Sequence, residues 1–131
     1  MKVVKLLLDT CTFLWLIKGS NELSSNAIKT FADPKNEVFL SAVSSWEINV
    51  KYGLGKLQLP ISPDQFIPQE RKRHFIEPLD LSEQDTLHLC KLPTHHKDPF
   101  DRMLICQAIE HSLTILTPDP LIIQYPIRSF W

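Results

Sequence analysis

V-V-K-L-L-L-D, residues 3–9, decides the fold. Its β-branched and aliphatic residues run on without helical spacing, so residues 3–8 read as a short buried strand. An acid stands directly after that strand, at Asp9. Working outward, residues 11–18 read as a helical turn or two closed by Gly19. A helix capped by Ser24 or Ser25 runs through Phe31 and ends at Asp33-Pro34, and E-V-F-L-S, 37–41, reads as a second strand.

Residues 43–54 predict a helix in which Val43, Glu47, Val50 and Leu54 share one stripe, with Trp46 beside it. The proline-rich segment 58–74 predicts an irregular connection holding one short helix. Residues 75–79 read as a strand and 82–92 as a helix capped by Ser82. A polar loop leads into a helix over 99–112. Then come a strand at 113–117, a turn at Pro120 and a last strand at 126–130. Strands that alternate with helices imply a parallel sheet covered on both faces. In such sheets ligands bind beyond the carboxyl ends of the strands.

The 131 residues are expected to form a single domain, 1–131, with 44% hydrophobic and 22% charged residues giving an ordinary globular balance. No apolar run is long enough for a transmembrane span, and the acid at residue 9 interrupts any signal-peptide core. No membrane association and a cytoplasmic location are therefore expected. Cys11, Cys90 and Cys106 form no C-x-x-C pair and read as buried free thiols. His95-His96 lies in the polar loop and reads as solvated. The net charge of −1 at first argues against a nucleic-acid partner.

The acids carry the functional argument. In K-D-P-F-D-R, 97–102, Asp98 suits an N-cap, Pro99 the first helical position and Asp101 the positive end of the helix dipole. Asp9 either caps the following helix or faces a ligand, and Asp119 in T-P-D-P reads as a turn former or a site residue. Glu47 falls on the apolar stripe of its helix, where an unpaired carboxylate would be costly; the alternative is an exposed pair with Lys51. Singly these are weak signals. Jointly, two acids end strands and the others begin or line helices leaving the same sheet edge. Such a cluster repels itself and persists when a divalent cation neutralises it, and oxygen ligands suit Mg²⁺ or Mn²⁺. Thr117, beside Asp119, adds a hydroxyl.

The pieces L-L-L-D-T, S-S-W-E-I, D-P-F-D-R-M-L-I-C-Q-A and L-T-I-L-T-P-D-P resemble PIN-domain ribonucleases. With W-E-x-x-x-K-x-x-x-G-K-L and Y-P-x-x-x-x-W, they resemble more narrowly the VapC-type toxins of toxin–antitoxin pairs. The resemblance implies a PIN-like three-layer α/β/α sandwich with a mainly parallel central sheet. It also implies a Mg²⁺-dependent endoribonuclease site, an antitoxin that occupies the active-site groove, and a homodimer. On this resemblance Asp9, Glu47, Asp101 and Asp119 match the acidic quartet that binds metal and catalyses, and Asp98 matches an additional metal-site acid. Thr10, Arg102 and Thr117 stand beside them as substrate contacts. The chain departs from the pattern at Pro118 and at Cys11, where a flexible or basic residue and a histidine are familiar.

Setting those five acids aside leaves 10 acids against 14 basic residues, a balance of +4, so phosphate can approach a cation-filled cleft. Lys51, Lys56, Arg71-Lys72-Arg73 and Lys97 are available to guide it. The expected reaction is in-line attack of water on phosphorus, leaving 5′-phosphate and 3′-hydroxyl ends. Two rivals are a non-catalytic interaction module whose acids only cap helices and a Mg²⁺-dependent phosphoacceptor domain of receiver type. The latter needs an acid pair after the first strand and a lysine after the last; this chain has a lone Asp9 and T-P-D-P. Phe13, Trp15 and Trp131 are candidate surface aromatics for a dimer or antitoxin contact.

Overall fold

A computed structural model describes residues 3–131. Five strands, β1 (Lys5–Leu8), β2 (Glu37–Ser41), β3 (Glu77–Leu79), β4 (Thr114–Leu116) and β5 (Arg128–Phe130), form one sheet ordered β3-β2-β1-β4-β5. Every pairing is parallel. The helices are α1 (Thr10–Lys18), α2 (Ser25–Ala32), α3 (Ala42–Gly53), α4 (Pro63–Arg73), α5 (Glu83–Leu87), α6 (Pro99–His111) and α7 (Pro120–Ile123). They cover both faces, which makes the three-layer α/β/α sandwich expected from the alternation of elements.

The central strand explains why L-L-L is uninterrupted. Leu6 and Leu8 point into one apolar cluster with Val38, Leu40, Leu116, Phe13, Ala27, Phe66 and Ile67. Leu7 points the other way, toward Ile115, Leu104, Ile105, Ala108, Ile122 and Tyr125. Successive side chains of a strand alternate faces, and both faces here are covered, so no position of β1 after Lys5 has a use for a polar side chain. Each buried leucine contributes about 2 kcal/mol. A buried polar tie fixes α6 to this frame: the Ser41 hydroxyl bonds Gln107 Oε1, and Gln107 Nε2 donates to the Asp80 carbonyl at 3.3 Å.

Local expectation and structure diverge in several places. The stripe of α3 is buried only at its start. Val43, Ser44, Glu47 and Ile48 are covered, whereas Val50 and Leu54 are exposed because the last turns run past the packed layer. Trp46 is exposed as well and lies edge-on against Phe100, with ring centroids 4.8 Å apart. The segment expected to be irregular contains the 11-residue helix α4, which runs through Pro68. Pro63 occupies a starting position where its missing N–H is harmless, and burial of Phe66 and Ile67 offsets the interior proline. Residues 82–92 give only the short α5 followed by a 3-10 turn at His88–Lys91. Of the three thiols, Cys106 alone is buried; Cys11 and Cys90 are exposed. Phe13 is a core residue, while Trp15 and Trp131 meet edge to face at 6.0 Å. Among the described residues no helix is long and apolar enough to cross a membrane.

Asp85 staples α5 to the end of α6. Its carboxylate accepts the Ser82 N–H at 3.0 Å and lies 2.9 Å from His111 Nε2, and the Ser82 hydroxyl accepts the Asp85 N–H at 3.1 Å. Burial pushes the Asp85 carboxyl up, but the Ser82 bonds and His111 outweigh it and leave the carboxyl below its ordinary range. The stabilisation is therefore present above the ordinary carboxylate range and lost as pH falls through it. Asp85→Ala should lower the unfolding free energy by about 2 kcal/mol at neutral pH. Urea melts at decreasing pH should show the parent and variant converging.

Candidate active site

The sheet order reverses its direction of growth between β1 and β4, and a crevice opens beyond their carboxyl ends. The acids arrive there on separate elements. Asp9 follows β1 and caps α1, its Oδ1 accepting the Thr12 N–H at 2.6 Å. Asp119 follows β4 and caps α7 through the Leu121 N–H at 2.9 Å. Asp98 caps α6 through the N–H groups of Phe100 and Asp101, at 2.9 and 3.1 Å. The punctuation reading of these three acids is thus correct. It does not exclude a second role, because a cap uses one carboxylate oxygen and leaves the other.

Thr117 ties the two central strand ends together. Its hydroxyl donates to Asp9 Oδ2 and accepts the Asp119 N–H at 3.1 Å. Glu47 reaches the crevice from α3 and is 4% exposed. Its Oε1 lies 2.7 Å from the Thr10 hydroxyl, whose oxygen is also 3.0 Å from Ser44 Oγ, and its Oε2 bonds Lys51 Nζ. Thr10 has one proton; directed at the carboxylate, it leaves Ser44 to donate to Thr10. Glu47 is therefore both buried and paired with Lys51, which merges the two alternatives read from the sequence. Burial opposes the Lys51 charge, but the bond and charge of Glu47 raise its pKa overall.

Asp9, Thr10, Cys11, Trp15, Glu47, Asp101, Pro118, Asp119 and Pro120 line one cavity of about 250 Å³. Asp98 stands outside this lining, yet its charge reaches Asp101. Burial is the main cause that raises the Asp9 carboxyl; bonds from Thr117 and Thr12 oppose it and the charge of Asp119 adds to it. Burial also lifts Asp101 to about 6, helped by Asp98, Glu47 and Asp119 and opposed by a bond from His96. Partial burial of the Cys11 sulfur, then the charges of Asp9 and Glu47, push the thiol up to about 11, which disfavours the thiolate at neutral pH.

The acids share a cavity and a field but no finished coordination cage. Among the described residues, no three His, Cys, Asp or Glu side chains stand close enough to hold one ion as they are placed. Both oxygens of Asp9 and of Glu47 have protein partners, whereas Asp101 Oδ1 and Asp119 Oδ2 take part in none of these bonds. The donor set, all hard carboxylate oxygens with one another's repulsion to relieve, fits Mg²⁺ or Mn²⁺ in its chemistry.

His96 departs from its sequence reading, and Arg102 gains a structural role beside it. His96 is not solvated; its side chain is 10% exposed and its Nε2 lies 3.2 Å from Asp101 Oδ2. Arg102, expected as a substrate contact, donates from Nη1 to the His96 carbonyl at 3.1 Å and lies within 3.5 Å of the Pro93 carbonyl. It fastens the loop before α6. No periodicity could have flagged His96, because its other partner, Tyr125, is 29 residues away. The only local signal was its place just before D-P-F-D.

Fold and crevice together define an α/β/α domain with an acidic pocket at the topological switch point. The family model of the PIN domain matches residues 6–126, and the chain belongs to that family. Ribonuclease VapC16 of Mycobacterium tuberculosis is 38% identical over 56 residues, which are 43% of this chain and 40% of that protein. The similarity thus spans less than half of that relative. The chain is similar in fold to VapBC2 from Rickettsia felis bound to a promoter DNA fragment, with TM-score 0.70 and 18% identity over 97% of this chain and 98% of that one. DNA-bound VapBC from Salmonella typhimurium matches at TM-score 0.65 and 20% identity, over 98% of both chains. VapBC-1 from nontypeable Haemophilus influenzae matches at 0.68 and 18%, over 97% of both.

A carboxyl that titrates higher in the folded chain keeps its proton longer there, so stability falls as pH rises between the two values. For Asp101 that window runs from 3.8 to about 6. In metal-free protein, Asp101→Asn should raise the melting temperature at neutral pH and flatten the decline across this window. Calorimetric melts across that pH range check both.

Proposed function

We propose that this chain is a divalent-metal-dependent endoribonuclease and the toxin member of a toxin–antitoxin pair. One observation carries the reading: four acids from four separate elements line a single crevice where α/β folds bind ligands. Capping alone accounts for Asp9, Asp98 and Asp119. It does not account for Glu47 or Asp101, which cap nothing and yet are held largely buried beside other acids. That difference disfavours the non-catalytic interaction module. The similarity to Ribonuclease VapC16 supports RNA as substrate, and the VapBC neighbours support an antitoxin partner.

Asp9, Asp101 and Asp119 are the residues to hold the cation, with Asp98 in support and Glu47 on the rim. A divalent ion bound there, Mg²⁺ with Mn²⁺ as substitute, would neutralise the acids, polarise a phosphoryl oxygen and acidify water. The chain's own residues prepare the rest. Thr12 and Thr117 fix the orientation of Asp9. Thr10 and Lys51 hold Glu47, which accepts a hydrogen bond from the attacking water and aligns it with phosphorus. Lys51, half exposed beside the crevice, draws the RNA backbone toward it. Attack breaks the bond to the ribose O3′, leaving a 5′-phosphate and a 3′-hydroxyl, and makes no use of the 2′-hydroxyl. The functional unit proposed is residues 1–131 as one domain acting in the cytoplasm, as a homodimer when active and with its antitoxin when silenced.

Asp9→Asn and Asp101→Asn should each slow cleavage of single-stranded RNA at least about a hundredfold, a loss of several kcal/mol of charge stabilisation. Their circular dichroism should match the parent's. Cleavage by Asp9→Asn at the parental rate would sink the assignment. Chelation with EDTA should abolish parental activity, and Mg²⁺ should both restore it and raise the melting temperature. End-labelling of the products should find 5′-phosphate; a 2′,3′-cyclic phosphate would exclude the proposed chemistry.

A further inference from the structure

His96 and Tyr125 meet behind Asp101 although neither belongs to the acid set. Tyr125 is buried, and His95 and His96 pack edge-on against its ring at 4.9 and 5.3 Å. The phenol oxygen accepts the His96 backbone N–H at 3.1 Å and lies 2.8 Å from His96 Nδ1. It is also 3.4 Å from the His96 carbonyl, but that carbonyl already receives Arg102 Nη1 at 3.1 Å. A phenol has one proton, and the shorter contact directs it to Nδ1. With Nδ1 accepting, a neutral imidazole carries its own proton on Nε2, which then donates to Asp101 Oδ2 at 3.2 Å. Arg102 fastens the loop backbone through the His96 and Pro93 carbonyls, and the ring cannot swing away without breaking its contacts to Tyr125 and Asp101.

We propose that Tyr125 and His96 are positioning residues: they hold Asp101 by Oδ2, present its Oδ1 to the crevice, and thereby set the affinity for a divalent cation without touching the ion or the RNA. The inference rests on the reading of the crevice as a cation site. A merely structural tie between the loop and α6 would change stability and leave ion affinity alone. Orientation of a ligating carboxylate by an outer hydrogen bond is commonly worth tenfold or more in affinity.

The test uses the whole chain and Mn²⁺ alone as probe, with free ion read by electron paramagnetic resonance. Parent, Tyr125→Phe, His96→Gln, His96→Ala and Asp101→Asn are compared, with thermal melts to establish folding. In the parent, long-range proton–nitrogen NMR of the imidazole should show His96 protonated on Nε2, and Tyr125→Phe should lose that preference. Mn²⁺ affinity should fall about tenfold or more in Tyr125→Phe and further in His96→Ala. His96→Gln, whose amide can still donate to the carboxylate, should recover part of it. At saturating Mn²⁺ the Tyr125→Phe kcat should return toward the parent's, with KM for RNA unchanged. An Nδ1-protonated His96 in the parent overturns the relay. So does Mn²⁺ affinity within about twofold of the parent's in folded Tyr125→Phe and His96→Ala while Asp101→Asn loses it. Absence of Mn²⁺ binding by the parent, or undiminished binding by Asp101→Asn, removes the cation site itself and the relay with it.

Discussion

The hydrogen bond from Thr117 to Asp9 joins the ends of the two strands between which the sheet reverses its order. It forms only if β1 and β4 lie side by side in parallel register, with Leu8 opposite Leu116. That register in turn requires two covered faces, since the side chains of both strands alternate between two separate apolar clusters. A single polar contact at the rim thus depends on the whole three-layer arrangement. It also orients the acid at the centre of the crevice.

Around that contact the protein does something electrostatically costly. Burial raises the carboxyls of Asp9 and Asp101, and neighbouring acids raise them further. The structure moderates the cost by giving each acid a donor: main-chain N–H groups at three helix starts, hydroxyls from Thr10 and Thr117, a cation from Lys51, an imidazole from His96. These donors do not bring the oxygens to one point, and the mutual repulsion remains. Stability is given up locally for a pocket suited to positive charge, with the apolar core supplying the surplus.

Acids that start helices here also line the crevice. A helix N-terminus needs an acceptor, and an acid used there places a second oxygen beyond the strand end, where ligands enter. Asp9 and Asp119 follow strands, cap helices and line the crevice, whereas Asp98 caps α6 outside that lining. A capping role and a place in the crevice are therefore compatible in this fold.

The strand–helix alternation, the uninterrupted leucines of β1 and the placement of acids after strands were legible because they are local and periodic. They sufficed for a parallel α/β/α sandwich and for bringing Asp9, Glu47, Asp101 and Asp119 to one crevice. The length of α4 was not legible, because burial of Phe66 and Ile67 overrides what Pro68 alone suggests. Nor was the shallow burial of α3, whose apolar stripe continues after the neighbouring layer ends. The carriage of Asp101 by His96 and Tyr125, and the turning of Arg102 toward the loop, join residues through space with no spacing rule to announce them. By itself the sequence determined which elements form and which charges they bear. Only the tertiary structure decided which donors those charges meet, because hydrogen-bond partners are chosen by proximity after packing and not by position along the chain.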